Sequence, residues 1–229
     1  MVVPGCWHHV TQRGNRRQTI FFSDADRRLY LDLLRQHCEQ YKVAITGYCL
    51  LGNHVHVLAV PEREDGLARA FATTHTDYAR WLNVRRGETG HVWQSRFFSC
   101  PLDEGHRWQA LRYVELNSVR AGLVDAAELW PWSSARAHLV GHDASGLLSM
   151  SDWQSRWTIQ TWRETLDLGI DDAASLDRLR EATRTGRPAA CDAFLADIEA
   201  RLGRSLRPAR RGPKPAAHPD EAQLSLVIE

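Results

Sequence analysis

The 229 residues predict an α+β fold: an antiparallel sheet with helices packed on one face, and a helical extension after it. Three observations carry that expectation. Strand-like and helix-like stretches follow one another in the order β-α-β-β-α-β and then a helix, the ferredoxin-like arrangement. A Leu-Gly-Asn turn leads directly from one strand-like stretch into the next. Beyond about residue 130 the pattern turns helical and rich in Trp.

Each element has its own signal. Residues 6–13 (CWHHVTQR) read as the first strand and GNRRQ as the loop after it. Ser23 or Asp24 is a plausible N-cap for a helix whose Leu29, Leu33, Leu34 and Cys38 recur at helical spacing. KVAITGYCLL is strand-like, and LGN turns into the strand HVHVLAV. Residues 64–85 read as a second helix with Leu67, Ala70, Phe71, Tyr78, Trp81 and Leu82 on its apolar side. HVWQSRFFSCPL reads as a strand, and DEGHRWQALRYVELNSVRAGL as one long helix. That helix is acidic at its start and basic at its end, as the dipole prefers, with Gly122 at a capping position. Trp130, Trp132, Trp153, Trp157 and Trp162 read as packing residues of a C-terminal extension. The division expected is residues 1–128, 129–203 and a basic, disordered tail at 204–229.

Composition bounds the class. No apolar run approaches the roughly 20 residues that span a bilayer, and MVVPGCWHHVTQRGN has no charged region followed by a long apolar stretch. The five cysteines are odd in number, widely spaced and never in a CxxC pair, which suits a reduced cytoplasmic protein. All but two of the 29 basic residues, Lys42 and Lys214, are Arg. Arg contacts phosphate in bidentate fashion and stacks on bases, although such a bias also follows from a GC-rich genome. RLGRSLRPARRGPKP, at 201–215, carries no acid.

His54 and His56, one residue apart in a strand, point to one face. They are either half of a metal site or a pair of half-buried histidines, and the pattern alone leaves both open. Tyr113 and Asn117 are i and i+4 on the third helix and share a face. Two imidazoles and an amide oxygen suit Mg²⁺ or Mn²⁺ with positions left open for phosphate oxygens. Tyr113 would then be a nucleophile; alone, it reads as an ordinary helix aromatic. His8 and His9 point to opposite faces of their strand, so one of them can approach the His54 and His56 side, packing or hydrogen bonding being the ordinary role.

Several stretches in order resemble the REP-associated tyrosine transposases, relatives of the single-tyrosine HUH insertion-sequence transposases. They are VPGCWHHVTQRGNRRQ (3–18), YCLLGNHVHVLAVP (48–61), GHVWQSRFFSCPLD (90–103), RYVELNSVRAGLV (112–124), WPWSSARAHL (130–139) and TGRP (185–188). The resemblance implies a metal-dependent enzyme that cleaves and rejoins single-stranded DNA beside a palindromic hairpin. It implies Tyr113 as the nucleophile that keeps the 5′ end, His54 and His56 as metal ligands, and Asn117 as a further ligand. Leu51-Gly52, Ser118 and Trp7 stand where the family commonly has Met-Pro, Pro and Pro; none removes a chemical group. Ala189-Ala190-Cys191 replaces a Gly-containing continuation of TGRP and leaves the role of that region open.

Candidate DNA contacts are Arg13, Arg16 and Arg17 around the Gly14-Asn15 loop, Arg96 on the strand face of Gln94, Arg120 at the helix end, and Arg210, Arg211 and Lys214 in the tail. The expected partner is single-stranded hairpin DNA, with no membrane and no small-molecule substrate; monomer and dimer both remain open. Two other readings stand beside this one. One is a domesticated hairpin-binding protein with little catalysis, and the other a metal phosphoesterase with a water nucleophile.

Overall fold

The structure, a computed structural model, describes residues 1–169, 173–203 and 205–206. The basic tail with Arg210, Arg211 and Lys214 lies outside the described residues. Four strands, β1 (Trp7–Arg13), β2 (Val43–Leu50), β3 (His54–Pro61) and β4 (Phe98–Leu102), form one antiparallel sheet in the order β2-β3-β1-β4. Helix α1 (Asp24–Gln40) joins β1 to β2, and α2 (Gly66–Arg86) joins β3 to β4. This is the predicted ferredoxin-like α+β arrangement.

The period-two alternation of the strands sorts two cores. Val10, Val55, Val57, Ala59, Tyr48 and Leu50 face α1 and α2, whose Tyr30, Leu34, Leu67, Phe71 and Tyr78 pack on them. The helices expected on one face are therefore α1 and α2. Trp7, Cys49, Leu58, Cys100 and Leu102 alternate onto the opposite face. That second face is apolar and needs a cover of its own, which α3 (Glu104–Glu115) supplies through Ala110, Leu111 and Val114. Gly47 on β2 permits the approach: a Cβ there would lie 2.4 Å from Leu111 Cδ1.

Ser23 caps α1 in a capping box with Asp26, as its sequence predicts. Two expectations change. Regular pairing in the fourth strand begins only at Phe98: before it the Gln12 side chain on β1 donates to the Ser95 carbonyl (2.6 Å), and Trp93 forms an isolated bridge with Gly14, with Gln94 N–H donating to Arg13 O and Asn15 N–H to Val92 O. The predicted long third helix is divided at Leu116 (φ −82°, ψ 0°) into α3 and the short α4 (Asn117–Arg120), with Gly122 at φ +65° just beyond.

The extension continues with α5 (Ala135–Val140), α6 (Ser151–Arg156), α7 (Ile159–Asp167), α8 (Ala173–Thr185) and α9 (Asp192–Leu202). Trp153, Trp162, Leu166, Leu179 and Ala182 join the same core as α3, so the Trp residues do pack. The Ala189 stretch lies along β4: Ala189 N–H donates to Pro101 O and Asp103 N–H to Ala189 O. It pairs with the outer edge of the sheet. Among the described residues no helix is long and apolar enough to cross a membrane.

Candidate active site

β3 turns His54 and His56 onto the face that α3 covers. Their cross-strand neighbours on β1 are Arg13 and Thr11, and Cys49 on β2 also lies opposite His56. The ring centroids of the two histidines are 5.1 Å apart. Asn53, just before the strand, holds His54: its Oδ1 lies 2.7 Å from Nδ1, while its Nδ2 donates to Arg17 O at 3.0 Å. The amide orientation makes Oδ1 the acceptor, so His54 carries its proton on Nδ1 and keeps the Nε2 lone pair free. Burial, helped by the Arg13 charge, pushes His54 down to about 4.

His56 is buried behind it. Its Nδ1 lies 2.9 Å from Nε2 of His9 on β1, and the two rings stack at 5.1 Å with 11° between planes. His9 Nδ1 lies 2.9 Å from Thr183 Oγ1 on α8. Burial holds His56 well below the ordinary histidine value, reinforced by His9, His54 and Arg120, and pushes His9 down to about 3. The cluster is neutral at physiological pH.

Asp103 caps α3 by accepting from His106 N–H at 2.8 Å, and the apolar side of the helix docks on the sheet. This docking brings the Tyr113 ring edge-on to His56 at 5.6 Å and to His9 at 6.0 Å. Arg120 Cζ sits 4.5 Å over the Tyr113 ring, a cation–π contact from α4 back to α3. His54, His56, Tyr113 and Arg120 are thus brought together. Asn117 is buried at the start of α4, and its Nδ2 donates to the Tyr113 carbonyl at 3.0 Å, tying its amide back to α3.

The donor set fits a divalent ion in part. His54 offers an Nε2 lone pair, and both rings are neutral, as metal ligands must be. Both ring nitrogens of His9 are engaged, by Thr183 and His56, so it offers no third nitrogen donor. Among the described residues no three His, Cys, Asp or Glu side chains converge as a metal cluster.

Of the predicted DNA contacts, Arg13 pairs across the sheet with His54, and Arg16, Arg17 and Arg96 are exposed. Arg13 is exposed opposite His54 and donates from Nε to Gln94 Oε1 at 3.0 Å. Arg16 and Arg17 are exposed at φ +51° and +62°, two consecutive left-handed residues in a tight loop. Arg96 is exposed after the Gln94 segment. His8 is a packing residue: its Nε2 accepts from Val3 N–H and its Nδ1 donates to Cys6 O. Asn53, His9 and Thr183 complete the cluster. The first two stand inside motifs visible in the sequence, whereas nothing local marks Thr183.

A family model described as IS200-like transposase matches residues 2–117, a span holding His54, His56, Tyr113 and Asn117. A protein of Haemophilus influenzae named "Putative REP-associated tyrosine transposase" is 30% identical over 111 residues; the match covers 44% of this chain and 63% of that protein. The chain thus matches somewhat under two thirds of that relative's length. A solved structure of a REP-associated tyrosine transposase bound to a REP hairpin is 18% identical, with a TM-score of 0.49, covering 66% of this chain and 86% of that one.

Proposed function

Since the chain belongs to the IS200-like transposase family, we propose that it cleaves and rejoins single-stranded DNA beside palindromic hairpins, with Tyr113 as nucleophile. The observation that supports this most is the Tyr113 ring held 5.6 Å from that of His56, on the face that also carries His54. A buried aromatic needs no such neighbours; a nucleophile for a metal-bound phosphate does.

The Tyr113 phenol loses its proton and its oxygen attacks phosphorus. The bond from phosphorus to the 3′ oxygen breaks, and that oxygen takes up a proton. The 5′ phosphate stays on Tyr113, and attack by a 3′ hydroxyl reverses the step. The phosphotyrosine conserves the bond energy, so rejoining needs no nucleotide cofactor. Mg²⁺ or Mn²⁺ on His54 and His56, with Asn117 as the further ligand, would polarise the phosphate and offset charge developing on it.

Arg120 orients the Tyr113 ring and has donors to spare for a phosphate beside it. Arg13, opposite His54, and the exposed Arg16, Arg17 and Arg96 grip the strand through its phosphates. Residues 1–128 act as the catalytic part and 129–203 as its helical extension. Arg210, Arg211 and Lys214 in the tail clamp the hairpin backbone. The setting is the bacterial cytoplasm.

The test is a labelled single-stranded hairpin, drawn from repeats near the gene, incubated with the protein and Mg²⁺ or Mn²⁺. The expected product is a metal-dependent band that survives denaturation, disappears on proteinase treatment, and falls to background in Tyr113→Phe while hairpin binding persists. Cleavage without an adduct would indicate a water nucleophile and defeat the tyrosine chemistry. Tight binding with neither would leave a hairpin-binding protein.

A further inference from the structure

Thr183, 174 residues from His9 in the chain, meets it inside the core. Its hydroxyl has one proton and three neighbours. Leu179 O on the same helix lies at 2.8 Å, His9 Nδ1 at 2.9 Å and Cys100 Sγ at 3.7 Å. A carbonyl can only accept, so the Thr183 proton goes to Leu179 O. The Thr183 oxygen is then left to accept, and His9 must donate to it from Nδ1. A neutral imidazole has one N–H, so His9 Nε2 carries a lone pair. The 2.9 Å contact between His9 Nε2 and His56 Nδ1 is a hydrogen bond only if His56 donates from Nδ1. That leaves the His56 Nε2 lone pair for a ligand.

We infer that Thr183 and His9 are positioning residues: together they set the His56 tautomer, so that the C-terminal extension completes a site whose histidines lie on the sheet. The inference rests on the reading of His54 and His56 as the metal-holding pair. The opposite polarity would have Thr183 donating to His9 Nδ1, His9 donating from Nε2 to His56 Nδ1, and His56 with its proton on Nε2. It would forfeit the bond to Leu179 O and block the ligand position. Asn53 does for His54 from the sheet what the two-residue relay does for His56 from the extension. Partners of this kind behind a metal-bound histidine commonly change metal affinity by 10–100-fold on mutation. Thr183 also lies outside the 2–117 span that the family model matches.

The experiment uses full-length, metal-free, ¹⁵N-labelled protein. Long-range ¹H–¹⁵N correlation spectra of the imidazoles read each tautomer directly, the His56 signals being those lost in His56→Ala. The expected result is His56 protonated on Nδ1. In Thr183→Val, the nearly isosteric change, His56 gains Nε2–H character and Mn²⁺ affinity by calorimetry falls by about 10–100-fold. Thr183→Ser keeps the hydroxyl and restores both. His56 found with its proton on Nε2 in the unmodified protein would overturn the inference, and this measurement needs no variant to fold. Unchanged tautomer and unchanged Mn²⁺ affinity in a folded Thr183→Val would also overturn it. Absence of Mn²⁺ binding in the unmodified protein, or binding that survives His54→Ala with His56→Ala, defeats the metal reading instead, and the metal-free spectra still decide the relay.

Discussion

Buried histidines make the stability of this protein depend on pH. Burial pushes His8 down to about 4, and His9 and His75 down to about 3. Their folded values lie below the ordinary 6.5, so on acidification the unfolded chain takes up protons first. Stability is complete above pH 6.5 and is lost as pH falls toward 4 and then 3. A tenfold difference in proton affinity between folded and unfolded chain is worth about 1.36 kcal/mol, so each of these histidines costs up to roughly 2 kcal/mol by pH 5. The melting temperature is therefore expected to fall steadily from pH 7 to pH 5, and a flat profile would refute the buried neutral assignment. Single side chains also show what could be read in advance. His54 and His56 are legible because a strand puts i and i+2 on one face, and Tyr113 because it stands inside a long motif. Thr183 is not, because its role exists only once α8 is folded against β1 and β4.

The loop between β1 and α1 couples local backbone geometry to the site. Gly14 has an ordinary φ of −59°, yet a Cβ on it would lie 2.2 Å from Gln18 O and 2.8 Å from Ile20 Cγ2. Gly14 N–H also donates to Asn53 O at 2.8 Å, and Asn53 in turn holds both the Arg17 carbonyl and the His54 ring. Gly14→Ala must open the turn. It is expected to cost about 1–3 kcal/mol, the usual range for overpacking a tight site, read as a lower denaturant midpoint. It should also lower adduct yield more than hairpin binding, because His54 loses its orientation first. Glycine punctuation marks this loop in the sequence, but the reason only glycine fits is a contact four residues away. Strands β1 to β3 were legible because each is a short run of strand-forming residues bounded by turn residues. The irregular run before β4 was not, since it is held by an isolated bridge and a bond from the Gln12 side chain. The break at Leu116 lies inside an uninterrupted helical pattern, where nothing signals it.

Two cores on opposite faces of one sheet do not make two independent units. α3 packs against both the sheet and the extension, and Glu115, wholly buried two residues after Tyr113, fastens them. Its Oε1 accepts from Ser134 Oγ at 2.6 Å and from His138 Nδ1 at 2.5 Å, and its Oε2 from Trp162 Nε1 at 2.9 Å. Ser134 and His138 flank and enter α5, and Trp162 lies in α7, so one carboxylate holds three points of the extension against the tyrosine helix. A sequence read by local periodicity places Glu115 on a helix and cannot tell a solvated acid from a buried one. Glu115→Gln tests the coupling, because an amide nitrogen would confront donors where a carboxylate oxygen accepted them. Leaving such donors unpaired costs about 3 kcal/mol. If the extension and the sheet fold as one, urea unfolding of the full chain followed by Trp fluorescence and by far-ultraviolet dichroism gives one coincident transition. In Glu115→Gln that single transition moves to lower urea. Two transitions in the variant, with the earlier one confined to the Trp signal, would show instead that α5 to α7 detach while the sheet stays folded. Tyr113 would then owe its position to the sheet face alone.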